Sequence, residues 1–334
     1  MHTELRYTVY AKTVRLGVLD VGSNTVHMVA VDAKQGGQPS PMSDWKTTLK
    51  LVEYLDKDGA LSDKGIKKLT SFVEEAKGVA EQLGCEELMS FATSAVRSAT
   101  NADEVLDHVE DETGVRLEIL SGTDEARLTF LAVRRWYGWS AGRIVNLDIG
   151  GGSLEMSCGT EEAPDAAYSL DLGAARLTHN WFETDPPSRK KINLLRDYID
   201  AELDEPAKAL RAYGPKWRAA ATSKTFRTLA RLTGSAPSSA GLYVQRELTA
   251  AGLRQLIAFI SRMTASDRAE LEGVSSNRSH QIVAGALVAE AAMRALELER
   301  IEICPWALRE GVILRRLEQG MAPQTTRSKD RGGK

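Results

Sequence analysis

The chain has 334 residues, which at roughly 150 residues per domain allows about two domains, each large enough to bury a core. Its 43 Lys and Arg against 46 Asp and Glu leave a net charge of -3, which excludes a global pull toward nucleic acid or anionic lipid. A composition of 43% hydrophobic and 27% charged residues is globular and excludes whole-chain disorder. No apolar run reaches the ~18 residues of a membrane span, and the opening MHTELRYTVYAKT lacks the apolar core of a signal peptide. Cys85, Cys158 and Cys304 stand far apart with no CxxC pair, so they read as reduced core thiols and the expected location is cytoplasmic. Five scattered histidines argue against a multi-histidine metal site.

In chain order, VRLGVLD (14–20) is apolar and β-branched and predicts a buried strand; the turn DVGSNT (20–25) and the run VHMVAVD (26–32) complete a hairpin. A loop-rich stretch follows. Ile66, Leu69, Phe72, Val73, Ala76, Val79, Ala80 and Leu83 then recur at spacings of three and four, an amphipathic helix entered through Ser62. Strands are expected at 87–93 and 115–120, with a helix between them. Thr123 is the expected cap of a helix running to about Trp136. The pattern then restarts with strands at 143–150, 154–159 and 167–173, a helical, polar texture from 186 to 230, and a strand at 242–248. Helices over 249–272 and 278–297, a strand at 301–306 and a helix at 308–320 complete the fold, and the tail 322–334 has no apolar periodicity and reads as disordered.

That restart is the most informative feature. VLDVGSNT (18–25) and NLDIGGGS (146–153) superpose at an offset of 128 residues: apolar strand, Asp, apolar residue, Gly, two small or polar residues, then Thr or Ser. A period of that length is a domain duplication rather than a solenoid, and it predicts two α/β halves facing each other across a cleft. Each turn places glycine where main-chain amides meet an anion without an intervening Cβ. Gly150, Gly151 and Gly152 leave the second turn bare, while Ser23, Asn24, Thr25 and Ser153 add side-chain donors. Asp20 and Asp148 end the first strand of each repeat, where a carboxylate holds Mg²⁺ or another hard divalent cation directly or through water. Two matching turns with an acid at the same place point to phosphate; the bland alternative is a pair of tight hairpins with solvent-facing aspartates.

Three further residues stand near these turns. Glu155 lies on the strand after GGGS, on the same face as Ser153 by alternation. Arg97 follows a strand at a helix start, where amides and a guanidinium together clamp anions. Glu125 opens a helix, a place where an acid commonly does no more than complement the helix dipole.

These stretches, with FATSAVRSATN (91–101), ILSGTDEARLTFLAV (119–133), SLDLGAARLT (169–178) and LREG (308–311), resemble the exopolyphosphatase / guanosine-pentaphosphate phosphohydrolase family over about residues 15–315. The resemblance implies an α/β fold of duplicated ribonuclease-H-like domains of the actin and sugar-kinase superfamily, facing across a cleft. The expected division is 13–136 and 143–307, with the last helix packing back on the first domain. It also implies that Glu125 is the catalytic base that orients and deprotonates water, that Glu155 is a second catalytic acid, that Arg97 binds phosphate, and that the protein forms a homodimer. The implied activity is Mg²⁺-dependent release of the terminal phosphate of inorganic polyphosphate. The rival activities are hydrolysis of guanosine pentaphosphate, an ATP-dependent kinase or actin-like ATPase, and a non-catalytic phosphate or alarmone sensor. No nucleic-acid or membrane partner is expected.

The chain departs from the family pattern at Lys224, where glycine is usual, and at Leu49-Lys50-Leu51-Val52, where a lysine contact replaces a forked arginine one. Arg309 and Glu310 read as interdomain packing. Finally, Pro206 to Arg246 contains eight Lys or Arg and no acid, which reads either as a track for a polyanion or as a solvated basic face.

Overall fold

The computed structural model describes residues 13–319 apart from 35, 36, 38, 40 and 215; the tail expected at 322–334 lies outside the described residues. The first sheet is built from β1 (Val14–Val21), β2 (Thr25–Ala33), β3 (Pro41–Thr48), β4 (Glu87–Ala92) and β5 (Glu118–Ile119), in the order β3-β2-β1-β4-β5. Helices α1 (Asp63–Gln82), α2 (Ser94–Arg97), α3 (Ala102–Thr113) and α4 (Gly122–Tyr137) belong to the same stretch of chain. The second half carries β6 (Ile144–Ile149), β7 (Leu154–Gly159), β8 (Ala166–Leu170), α5 (Ala174–Trp181), α6 (Arg189–Arg211), β9 (Arg218–Ala221) and α7 (Ser223–Leu232). It continues through β10 (Glu247–Thr249), α8 (Ala250–Ile260), α9 (Ala265–Ala269), α10 (Ile282–Ala295), β11 (Arg300–Ile303) and α11 (Leu308–Glu318). Its sheet runs β10-β11-β9-β6-β7-β8.

Taken from β8 inward, the second sheet repeats the first. β2 and β7 are antiparallel to β1 and β6, β4 and β9 are parallel to them, and β5 and β11 continue in parallel. The duplication extends to hydrogen bonds. Gly22 N–H donates to the Thr25 carbonyl at 2.9 Å, and Gly150 N–H to the Ser153 carbonyl at 2.8 Å. After β4 and β9 the same tripeptide, Ala-Thr-Ser (92–94 and 221–223), starts a helix. Thr93 N–H donates to the Val21 carbonyl at 3.0 Å, and Thr222 N–H to the Leu147 carbonyl at 2.9 Å.

Alternation decides which face of each central strand meets which helices. In the first sheet Leu19, Val21, Val26 and Met28 pack under α1 and α3, while Val14, Leu16, Val18, Val29 and Val31 pack against Ile313 and Leu317 of α11. In the second, Val145, Leu147, Ile149, Leu154 and Met156 face the large helical layer that includes α6, α8 and α10. The opposite face is covered by α4, whose Phe130 to Val133 pack with Ile144 and Ala220 and with Leu314 of α11. The two helices therefore trade places: α4 leaves the first half to lie under the second sheet, and α11 leaves the second half to lie under the first. They cross where Gly311 meets the Leu128 carbonyl so closely that a Cβ has no room.

Several expectations are corrected. The polar stretch 186–230 is not one helical region, because β9 divides it. The strand expected at 242–248 is limited to Glu247–Thr249, and Leu242, Tyr243 and Val244 are exposed, with the Tyr243 ring stacked on Trp136 at 5.4 Å. The cap of α4 is Ser121, whose hydroxyl accepts from Asp124 N–H, rather than Thr123. The strand β3, for which the sequence predicts no element, is an edge strand with one exposed face and one half-buried face, Ser43, Trp45 and Thr47, of which Trp45 packs on the core.

Candidate active site

The two glycine-bearing turns meet tip to tip. A Cβ on Gly151 would lie 2.7 Å from Asn24 Nδ2 and 2.9 Å from Ser23 Cβ, and one on Gly152 would lie 2.8 Å from Ser94 Cβ. Only glycine permits this approach. Ser23 and Ser94 hydroxyls share a hydrogen bond of 2.9 Å, and Asn24 Nδ2 donates to Gln281 Oε1 at 3.4 Å across the two halves.

The carbonyls of both turns are tied back. Amides of Leu49 and Lys50 donate to the Asn24 carbonyl and that of Leu51 to Ser23, while the first amides of α5 (Ala174, Ala175, Arg176) donate to Gly150 and Gly151. With the acceptors occupied, the amides of Ser23, Asn24, Gly151 and Gly152 have no backbone acceptor among the described residues. Such a concavity of donors suits an anion.

Four carboxylates stand beside the turns. Asp20 and Asp148 occupy the ends of β1 and β6, and Glu155 is the cross-strand partner of Asp148. Glu125, on the first turn of α4, reaches them from the first half. Glu125 and Glu155 are only 8% and 5% exposed, so their charged forms lack water. Burial pushes the Glu125 carboxyl up to about 7, against the pull of Arg97 and with Asp20 and Asp148 adding to the rise. Glu155 is pushed well above the usual carboxylate range by burial and then by Glu125 and Asp148, although Ser169 Oγ donates to it at 2.9 Å. Asp20 rises to about 6, chiefly by burial and moderated by Arg309. Asp148 is also raised by burial, restrained by the Thr222 hydroxyl that donates to it. This is the pattern expected where groups have been gathered for chemistry rather than for stability.

Arg97 holds Glu125. Its guanidinium forms an ion pair with the Glu125 carboxylate and donates to the Leu120 carbonyl at 2.7 Å. The carboxylate thus has a fixed direction.

Among the described residues no three acidic, histidine or cysteine side chains form a ready-made cage for a metal ion. The donor set nevertheless fits a hard divalent cation, because such ions are commonly held by one or two carboxylates together with substrate phosphate and water. Asp20 and Asp148, close enough that the charge of Asp148 raises the proton affinity of Asp20, supply that pair.

The Ppx/GppA phosphatase family profile matches residues 30–319. The chain belongs to this family. It is 64% identical over 304 residues to "Exopolyphosphatase 1" of Mycobacterium bovis, covering 91% of this chain and 88% of that one. It is 62% identical to "Exopolyphosphatase 1" of Mycobacterium leprae, covering 91% and 90%. Among solved structures, an exopolyphosphatase from Cytophaga hutchinsonii superposes with a TM-score of 0.82 at 22% identity, covering 91% of this chain and 98% of that one. The Ppx/GppA family member of Aquifex aeolicus gives 0.78 at 23% identity, covering 93% and 100%; these two likenesses concern the fold.

Within the family fold, the structure brings Asp20, Ser23, Asn24, Arg97, Glu125, Asp148, Gly151, Gly152, Ser153 and Glu155 to one place, with Thr25 and Gly150 closing the two hairpins. It also brings residues that no local pattern marks. Arg309 is not simply packing: its guanidinium touches the His27 ring and its charge acts on Asp20. Lys46 of β3 and Arg278 gather near it. Most cations of the basic 206–246 stretch have local partners. Lys208 pairs with Glu205, Arg211 with Glu297, Arg218 with Glu302 and Arg231 with Glu272, while Arg246 donates to four carbonyls of its own loop. Only Lys224 and Arg227 of that stretch join the charges around Lys46. Lys50 is taken by Glu53 at 3.0 Å.

Proposed function

We propose that the protein is an exopolyphosphatase that removes the terminal phosphate of inorganic polyphosphate. The observation that carries this reading is the contact between two donor-lined turns beside a buried, arginine-oriented glutamate. The 62–64% identity to proteins named Exopolyphosphatase 1 supports the same substrate. In this reading the two lobes, 13–136 and 143–307, close on the chain end, with the last helix belonging to the first lobe. Free cysteines among the described residues agree with a reducing, cytoplasmic setting, and no helix among those residues is long and apolar enough to cross a membrane.

The amides of Ser23, Asn24, Gly151 and Gly152, with the hydroxyls of Thr25 and Ser153 and the remaining donors of Arg97, hold the terminal phosphoryl oxygens. Glu125 Oε accepts a proton from water as the water oxygen attacks phosphorus in line. The bridging P–O bond breaks, its electron pair leaves with the shortened chain, and orthophosphate is released. Phosphoryl transfer needs mainly alignment and charge compensation, which fits a site whose donors are fixed before substrate arrives. Glu155, whose carboxyl is raised by burial and then by Glu125 and Asp148, lies beside the second turn, where its neutral form would donate a hydrogen bond to a phosphate oxygen. A divalent cation, Mg²⁺ in this reading, would be held by Asp20 and Asp148 and would offset charge on the phosphate oxygens.

The test is Glu125→Gln, which keeps the shape and removes the base. General-base catalysis contributes about 10²–10⁴-fold, so kcat for orthophosphate release should fall by at least ~100-fold with polyphosphate binding retained. Undiminished turnover would remove Glu125 from the mechanism. Parallel assays on short and long polyphosphate, guanosine pentaphosphate and ATP identify the substrate.

A further inference from the structure

The carboxylates and turns leave a second population of charge unexplained. Lys46 on β3, Lys224 and Arg227 on α7, and Arg278 in the short turn Ser276–Arg278 form no ion pair with a carboxylate among the described residues. Arg227 Nε is buried with no hydrogen-bond partner. Their placement is specific. Lys46 is the cross-strand partner of His27, whose ring meets Arg309. Two residues on, Thr48 Oγ1 accepts from Asn277 Nδ2 at 3.0 Å, which docks the segment before Arg278 against β3. Lys224 and Arg278 line one small cavity together with Gln281, the residue that Asn24 of the first turn reaches. Lys224 and Arg227 also line a wider cavity of about 350 Å³. The cations lie next to the site already described, with one arm from each half of the molecule.

They also repel one another. Lys46 binds its proton less tightly than an ordinary lysine, first through lost hydration and then through Arg278, Arg309, Lys224 and Arg227. Lys224 is weakened in the same way by lost hydration, Arg227 and Arg278. Lys224 is moreover the second residue of α7, where positive charge opposes the helix dipole. Both lysines remain exposed.

We propose that Lys46 and Lys224 form a two-armed clamp for the phosphates behind the one being cleaved, making the site selective for linear chains of three or more phosphates over pyrophosphate. The proposal rests on the exopolyphosphatase reading and adds a direction to it: the chain end lies on the turns, and the rest of the chain runs toward Lys46, Lys224 and Arg278. Ammonium groups on flexible stems grip without the fixed register of a forked guanidinium, which suits a chain that advances by one phosphate per cycle.

The experiment compares wild type, Lys46→Met, Lys224→Met, the double variant and Lys224→Arg on pyrophosphate and tripolyphosphate at fixed ionic strength. Thermal unfolding with and without tripolyphosphate is followed in the same proteins. Each single Met variant should raise KM for tripolyphosphate about tenfold, the scale of one lost charge-assisted contact, with a smaller change in kcat. KM for pyrophosphate should move less than threefold, and Lys224→Arg should recover most of the loss. The tripolyphosphate-induced rise in Tm should vanish in the double variant. Equal KM changes for both substrates, or a Tm rise that survives the double substitution, would overturn the clamp. Absence of orthophosphate release by wild type would instead sink the exopolyphosphatase reading, and the Tm comparison would still decide the clamp.

Discussion

Gly152→Ala probes the meeting of the two turns directly. The new Cβ would sit 2.8 Å from Ser94 Cβ, with Ser94 Oγ closer still and Ser23 Oγ at 3.4 Å. Carbon atoms at rest lie about 3.5–4.0 Å apart, so the turns must separate by about 1 Å. Overpacking of this kind costs about 1–3 kcal/mol when it cannot relax; here separation of the halves relieves it, so Tm should change little. Catalysis is less forgiving: a misplacement of ~1 Å is worth about 100-fold in rate, or about 2.7 kcal/mol in activation free energy at 1.36 kcal/mol per tenfold. Stopped-time phosphate release should therefore show kcat reduced about 100-fold. Ser94→Gly, which removes the atoms struck, should restore most of it in the double variant. Gly78→Ala serves as the control, since nothing lies within 4 Å of its added Cβ. On α1 it should stabilise by about 0.5–1 kcal/mol through helix propensity alone. Wild-type kcat in Gly152→Ala would show that the turns do not need to touch for turnover.

Gly311→Ala strikes the Leu128 carbonyl at the crossing of α11 and α4, where rigid backbone on both sides cannot yield. It should lower stability by about 1–3 kcal/mol in denaturant melts. The raised carboxyls set the pH response. Glu125 and Asp20 go from ordinary values of 4.5 and 3.8 to about 7 and about 6 in the folded chain. The folded state therefore holds protons that the unfolded chain releases, and stability complete below pH ~4 declines as pH rises through 6 and 7. Tm of the free protein should fall across that window, and Glu125→Gln should flatten the profile. Over the same range kcat/KM should rise with an apparent midpoint near 7, as the base ionises together with its neighbours. Chelation with EDTA should abolish turnover and added Mg²⁺ restore it, with Asp148→Asn raising the Mg²⁺ concentration required.

The repeat was legible because a duplicated turn needs the same residue types twice: Asp20 with Asp148 and Gly22 with Gly150 carry both the fold and much of the site. The Ala-Thr-Ser copies at 92–94 and 221–223 carry the same signal and would have located β9, but four residues, Arg-Ala-Ala-Ala, between polar helices show no strand period. β3 escaped notice because its half-buried face carries Ser43 and Thr47 around the single apolar Trp45, which leaves no apolar alternation to read. The cationic group was invisible for another reason. Lys46, Lys224 and Arg278 lie on segments far apart in the chain, and only the docking of one half on the other assembles them. Counting charge along the sequence instead picked out a run whose members mostly pair with local acids or carbonyls.

The exchange of α4 and α11 makes the duplicated halves mutually dependent. Each sheet has one apolar face sealed by a helix that the other half's stretch of chain contributes, so a fragment ending before residue 308 would leave Val14, Leu16 and Val18 uncovered. Neither copy is then a free-standing ancestor preserved intact. Severing the chain between them should yield pieces that aggregate alone and recover a soluble fold only when expressed together.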